Sequence, residues 1–131
     1  MSSMSPSGEN LNYLSIEEHD STACAGVKYT IRRVSARRRL ELVRSIRELV
    51  RESEYREAGK AALDKLESAM LSRGISNAYF VNGFDSVQGL LIDGEIPSAE
   101  SMWAKGPEAL VEEITKRIRE SWHLNDEARK N

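Results

Sequence analysis

The stretch SARRRLELVRSIRELV, residues 35–50, decides the fold. Apolar residues recur in it at intervals of three and four, which is the spacing of one face of an α-helix. These residues are Leu42, Val43, Ile46, Leu49 and Val50. Ser35 is a favourable N-cap immediately before this pattern. The sequence therefore predicts a long helix that begins at residue 36 and carries many arginines.

Residues 36–73 fit either one long helix or two shorter ones. The helical pattern weakens at Gly59 and resumes at Ala62. Gly74 then stands where a residue just past a helix end is expected. Because an interior glycine costs about 1 kcal/mol relative to alanine, the pattern favours a break or bend near Gly59.

After Gly74 the apolar spacing changes from that of a helix to that of strands. Residues 77–81 and 87–92 are rich in β-branched and aromatic side chains, and the intervening NGFDS, residues 82–86, has turn-forming composition. This pattern predicts a β-hairpin. A further short strand is predicted at residues 27–32, where the sequence VKYTIR alternates.

The C-terminal part predicts two more helices. Ser98 is a suitable N-cap for a short helix that stops at Gly106, and Pro107 suits the first position of a final helix. One face of that last helix is apolar, and its residues are Leu110, Val111, Ile114, Ile118 and Trp122. Together, the elements predict an α+β fold: a helix-dominated small domain with one β-hairpin, a long Arg-rich helix and a C-terminal helix.

The length of 131 residues, 40% of them apolar, suits one domain with one modest core. We expect a flexible N-terminal arm at 1–26, a globular domain at 27–124 and a flexible tail at 125–131. The predicted core residues are Leu42, Ile46, Leu49, Leu66, Val81, Leu90, Ile92, Leu110, Ile114 and Ile118.

The charge is strongly segregated along the chain. Residues 28–51 contain nine of the 19 basic residues but only two of the 21 acidic ones. Such a distribution can steer an acidic partner to one surface, or it can hold two parts of the molecule together. Cys24 is the one cysteine, which suits a reducing cytoplasm, and no apolar run approaches the roughly 18 residues of a membrane span.

The sequence contains no motif that predicts catalysis. Its histidines, His19 and His123, lie far apart and form no metal-ligand pattern with Cys24. The glycines have the spacing of turn residues, not that of phosphate-binding loops. We therefore expect no catalytic residues, no cofactor and no metal.

Two groups of residues are candidates for binding a partner. The first is the basic patch Arg32, Arg33, Arg37, Arg38 and Arg39, whose positive field suits phosphates, an acidic protein or the acidic half of this chain. No aromatic residue interleaves with these arginines to stack on bases. The second group is Trp103 and Trp122, whose helical spacing indicates core positions, although an exposed tryptophan would anchor an interface.

The segment 87–131 resembles small phage and prophage proteins of the tail assembly chaperone type. The resemblance lies in GLLIDGEIPS at residues 89–98, GPEALVEEI at residues 106–114 and the ending LNDEARKN at residues 124–131. Ala128 stands where the ending typical of that group has glutamate. The resemblance implies a non-enzymatic helper in the host cytoplasm that binds a phage structural protein, such as the tape measure protein, during virion assembly.

The leading hypothesis is therefore a protein-binding assembly factor that acts without a cofactor or a membrane. The alternative is a small nucleic-acid-binding accessory protein that uses the basic patch at residues 32–39. The sequence leaves the oligomeric state open.

Overall fold

A computed structural model describes residues 10–57 and 64–130, and it describes side chains at 10–54 and 68–123. The elements in chain order are β1 (Ile16–Asp20), β2 (Lys28–Arg32), α1 (Ala36–Glu57), α2 (Asp64–Gly83), β3 (Phe84–Gln88), α3 (Ala99–Lys105) and α4 (Glu108–Lys130). The predicted α+β class is confirmed: the described residues form four helices and a three-stranded antiparallel sheet.

The sheet has the order β1-β2-β3, and its central strand is the one predicted at residues 27–32. Tyr29 and Ile31 alternate onto the face that meets the helices, where both are buried. The edge strand β1 lies at residues 16–20, within the segment expected to be an arm. Its side chains are mostly charged, so its sequence lacks the apolar alternation that predicts a strand. Hydrogen bonding to β2 holds this segment in extended conformation instead.

Helices α1 and α2 form an antiparallel pair. Arg38, near the start of α1, contacts Asn82 at the end of α2. Further along α1, Leu49 lies against Gly74, at which an added Cβ would lie 3.0 Å from a Leu49 methyl group. The structure thus has two helices where the sequence favoured a break, and Gly59 itself lies outside the described residues. Gly74 is not past a helix end but inside α2, where its small size admits Leu49.

The predicted placement of the β-hairpin at residues 77–81 and 87–92 is wrong, because the consecutive antiparallel strands are β1 and β2. Residues 77–81 form part of the last turns of α2, and only β3 at residues 84–88 is extended. Tertiary packing overrides the strand-like composition, because Tyr79 and Phe80 are buried in the core in helical conformation. Gly83 ends α2 against α4, since a Cβ there would lie 2.5 Å from a methyl group of Ile118.

The core lies between the sheet and the helices. Its most deeply buried large side chains are Tyr29, Ile31, Phe80, Met102, Leu110, Ile114, Ile118 and Trp122. Among the predicted core residues, Leu42 is also buried, whereas Ile46, Leu90 and Ile92 pack at its border. Val81 is 40% exposed, because it lies on the outer side of α2, so that prediction is wrong. The side chain of Leu66 lies outside the described residues.

The short helix α3 has the predicted boundaries. Ser98 is its N-cap and forms a capping box with Ser101, and Gly106 ends it. The last helix, α4, continues through residues 125–130, which the sequence assigned to a flexible tail. None of the helices in the described residues is long and apolar enough to cross a membrane.

Candidate functional site

Arg32 and Arg33 of the predicted basic patch contact acidic residues of this same chain. The Arg32 Nε donates a hydrogen bond to the Asp85 carboxylate at 3.3 Å. The Arg33 Nε lies 3.5 Å from the Glu17 carboxylate. Arg32 is the last residue of β2 and Arg33 directly follows it, and both ion pairs join this end of β2 to a neighbouring strand, so these two arginines have a role inside the fold.

Arg38 and Arg39 bind backbone carbonyls of other helices. The Arg38 Nη1 donates to the carbonyl of Asn82 in the last turn of α2 at 3.2 Å. A cation there complements the negative end of the helix dipole. The Arg39 Nη2 donates to the carbonyl of Trp122 in α4 at 3.2 Å. Burial, together with the nearby charge of Arg32, lowers the pKa of the Arg38 guanidinium. We call Arg32, Arg33, Arg38 and Arg39 the internal arginines.

The two tryptophans differ in exposure. Trp122 is 1% exposed, and its indole N–H donates to the carbonyl of Arg32 at 3.0 Å. Trp122 therefore belongs to the core and binds the same segments as the internal arginines. Trp103 is half-buried, and its ring centroid lies 5.7 Å from that of Phe80. A part of Trp103 remains accessible at the surface of α3.

The solvent-facing side of α1 carries a second group of arginines, which we call the arginine face: Arg37, Arg44, Arg47 and Arg51. They follow one another at intervals of seven, three and four residues, so they lie on one side of the helix, opposite buried Leu42. At a rise of 1.5 Å per residue, the row is about 21 Å long. Of the basic patch predicted from sequence, only Arg37 belongs to this face.

The arginine face is largely free of internal partners. Within the described part of the chain, Arg37, Arg44 and Arg47 make no ion pair, although Glu41 and Glu48 each follow an arginine by four residues. This order of charges, with the base first, is the weaker one for helical pairs. Arg51 lies 3.7 Å from Glu48, with both side chains more than 60% exposed. Such a pair adds little to stability.

Two apolar side chains accompany these charges. Leu40, which lies among the arginines, is 50% exposed, and Val43 beside it is 44% exposed. Arginine is enriched in protein interfaces relative to the rest of the surface. A helix face that combines arginines with exposed aliphatic side chains therefore has a composition that suits an interface. The spacing of seven between Arg37, Arg44 and Arg51 was visible in the sequence. Of the consecutive arginines at 37–39, Arg38 and Arg39 bind backbone carbonyls and only Arg37 lies on the arginine face.

The polar cluster between the β1–β2 loop and α4 is built around Glu113. Its carboxylate accepts hydrogen bonds from Ser21 Oγ at 2.9 Å, from the backbone N–H groups of Thr22 and Ala23 at 3.1 and 2.9 Å, and from Tyr29 Oη at 3.2 Å. Burial favours a higher pKa for Glu113, but these hydrogen bonds outweigh it and hold the pKa below its ordinary value.

Two neighbours of Glu113, Tyr29 and Arg117, also have shifted pKa values. Burial raises the pKa of Tyr29, and the hydrogen bond to Tyr29 raises the pKa of Arg117. With four donors on one carboxylate, Glu113 has little capacity left to accept a proton from a substrate. The cluster therefore anchors the loop after β1 to α4 and does not resemble a general base.

A wide, open groove of about 1550 Å³ runs along α4 between β1 and α2. Acidic and basic side chains alternate on its wall, among them Glu112, Lys116 and Glu120. The described residues contain no group of three or more His, Cys, Asp or Glu side chains that could hold a metal ion. The groove thus presents a mixed charged surface. On its wall the Glu17 carboxylate accepts a hydrogen bond from Ser121 Oγ at 2.7 Å and lies 3.1 Å from His19 Nε2.

Comparison with known proteins finds no match for this chain among family models, curated proteins or solved structures.

Proposed function

We propose that this protein is a non-enzymatic protein-binding factor and that the arginine face is the surface that contacts its partner. The observation that carries the proposal is that the two groups of arginines differ in their partners. The internal arginines bind this chain's own carboxylates and carbonyls. The arginine face projects into solvent beside exposed Leu40 and Val43.

The arginine face has no evident role in stability. Arg44, Arg47 and Arg51 stand three and four residues apart, so their charges repel one another along the helix. A row of like charges does, however, raise the rate at which an acidic partner arrives. Arginine is also among the residues that contribute most to binding when an interface excludes water. The composition of the face is therefore explained better by binding than by folding.

The resemblance of segment 87–131 to tail assembly chaperones adds a class of partner. On that basis, the partner is a phage structural protein, such as a tape measure protein, and binding takes place in the host cytoplasm during virion assembly. The arginine face lies outside that segment and supports only the more general proposal of protein binding.

Nucleic-acid binding is the second candidate function, and the row of exposed guanidinium groups favours it. Such a row can neutralise several phosphates. Two features of the surface favour a protein instead. Glu41 and Glu48 flank the arginines and would repel phosphates, and Leu40 and Val43 would gain nothing from contact with a phosphate backbone.

The test is an affinity pull-down from the protein's native cells with three tagged forms. They are the unaltered chain, Arg44→Glu/Arg47→Glu on the arginine face, and Lys28→Glu/Lys116→Glu as a charge-matched control. Lys28 and Lys116 are exposed residues of β2 and α4 and not of α1. Half of each lysate is treated with nuclease, and recovered proteins are identified by mass spectrometry.

The proposal expects one protein to be enriched by the unaltered chain and the control, with or without nuclease, and lost with Arg44→Glu/Arg47→Glu. Circular dichroism of the three forms checks that all are folded. Equal recovery by all three forms would overturn the role of the arginine face. Loss of every recovered protein after nuclease treatment would support the nucleic-acid function instead.

A further inference from the structure

We infer that the partner presents an acidic amphipathic helix, which packs lengthwise along the arginine face of α1. This inference rests on the proposed function and adds the chemistry and shape of the surface that is recognised. It follows from the spacing of the arginines, the apolar side chains among them and the acidic residues on their flank.

The spacing of the arginines matches the repeat of a helix. Arg37, Arg44 and Arg51 are seven residues apart, which is about 10.5 Å along α1. A second helix packed alongside repeats its contacting residues with the same period of seven. Carboxylates at that period on the partner would each meet a guanidinium group along the whole row. Arg47 lies between Arg44 and Arg51 and would meet a carboxylate on the intervening turn.

The exposed apolar side chains favour a partner with apolar groups of its own. Leu40 lies one turn from both Arg37 and Arg44, and Val43 is beside it on the same side of α1. Both side chains are close to half exposed, so contact with an apolar residue would remove further area from water. A helix can present carboxylates and leucines on one face, whereas a phosphate backbone offers only charge.

The charge of the arginine face disfavours its pairing with the same face of a second copy of this chain. Four arginines lie on the face, and three exposed glutamates, Glu41, Glu48 and Glu54, border it. Two such faces brought together would place one row of arginines against another, which is repulsive. These glutamates would repel phosphates but could pair with a lysine or arginine on the flank of an acidic helix. Charge complementarity therefore favours an acidic helix over the arginine face of a second copy.

The probe is a synthetic helical peptide of about 20 residues, long enough for stable helix formation when alanine-rich. It has glutamates at intervals of three and four on one face, leucines among them and a lysine row on one flank. A scrambled peptide has the same composition without the pattern, and a labelled DNA duplex is the third ligand. Fluorescence anisotropy measures the affinity of the full chain for each ligand at one salt concentration.

We expect the patterned peptide to bind at least about tenfold more tightly than the scrambled one, a difference of about 1.4 kcal/mol. Leu40→Ala/Val43→Ala should weaken binding of the patterned peptide and leave that of DNA unchanged. Arg44→Glu/Arg47→Glu should no longer bind the glutamate peptide and should bind a peptide that has lysines in place of the glutamates. Lys28→Glu/Lys116→Glu is the control and should bind like the unaltered chain.

Equal affinity for the two peptides, or binding of neither, would overturn the inference. DNA binding that is tighter than both peptides and insensitive to Leu40→Ala/Val43→Ala would overturn it in favour of a nucleic acid. A pull-down partner that depends on the arginine face, combined with equal affinity for the two peptides, would leave the proposed function standing. The partner's contact surface would then have a different form.

Discussion

The internal arginines and the arginine face occupy one continuous stretch of chain, but their environments are opposite. Arg38 and Arg39 lie on the side of α1 that faces the body of the protein and bind carbonyls of α2 and α4. Arg37 and Arg44 lie on the other side and bind nothing among the described residues. Because an α-helix turns by about 100° per residue, neighbours in sequence point in different directions. The phase of the helix, and not the density of arginines, separates a structural cation from one available to a partner.

Trp122 connects the chain at Arg32 to the side chain of Arg39, so its loss should destabilise the region of the internal arginines most severely. Its indole binds the Arg32 carbonyl, and its own carbonyl accepts from Arg39. Trp122→Ala should lower the free energy of unfolding by about 3 to 5 kcal/mol, as expected when a buried aromatic residue is truncated. Urea unfolding followed by circular dichroism measures this. Trp103→Ala, at a half-buried position, is the comparison and should cost less. Equal losses would contradict the assignment of Trp122 to the core.

The carboxylates of α4 show the same difference between a charged group with internal partners and an exposed one. Glu113 accepts four hydrogen bonds from this chain, whereas neighbouring Glu112 is exposed. Glu113→Gln should lower the free energy of unfolding at neutral pH by about 2 kcal/mol, since bonds to a charged group are lost. Glu112→Gln is the matched control and should have almost no effect. A loss of similar size in both variants would show that the cluster around Glu113 does not anchor the loop.

The lowered pKa of Glu113 also predicts a pH dependence. A carboxyl whose pKa is lower in the folded than in the unfolded state stabilises the fold fully above its ordinary pKa of 4.5. That contribution is lost as the pH falls through the lower, folded-state value. Urea unfolding at neutral pH and at several pH values below 4.5 should therefore show the gap between the unaltered chain and Glu113→Gln closing in acid. A gap that stays constant would contradict the lowered pKa.

The sequence predicted those parts of the fold that local patterns specify. The α+β class, the central strand, the start of α1 and the capped helix α3 follow from alternation, helical spacing and a serine cap. It failed where tertiary contacts decide. Residues 77–81 look like a strand, but Tyr79 and Phe80 are buried as part of a helix. Strand β1 has too little apolar character to be recognised without its partner strand β2.

The candidate site could be predicted only in part, because the partners of the arginines are set by tertiary contacts. The sequence located the basic region and the two tryptophans, but it could not tell which guanidinium groups have internal acceptors. Asp85 and Asn82, which accept from Arg32 and Arg38, are each more than 40 residues away in sequence. The helical phase of Arg44, Arg47 and Arg51 was available from sequence, whereas the exposure of Leu40 depends on how α1 packs.

Arg39→Ala tests whether an internal arginine stabilises the fold. The variant removes a charged donor from the Trp122 carbonyl at a partly buried position. It should lower the free energy of unfolding by about 1.5 kcal/mol, which is typical of hydrogen bonds to charged groups. Urea unfolding at neutral pH measures the change. A change no larger than that of an exposed arginine would mean that burial of the Arg39 side chain contributes nothing.

Arg47→Ala is the opposite case and should have the smallest effect of all. Arg47 stands three residues after Arg44 and four before Arg51, so its removal relieves two repulsions and breaks no ion pair of the described residues. The free energy of unfolding should stay within about 0.5 kcal/mol of the unaltered chain, and the sign should be stabilising. The Arg51–Glu48 pair remains in this variant, so the change reports on the relieved repulsion together with the small gain in helix propensity from alanine. A clear destabilisation would mean that the arginine face supports the fold, and the argument that it is kept for binding would fail. Neutral or improved stability, together with weaker partner binding, would separate the two groups of arginines by function as the structure separates them by position.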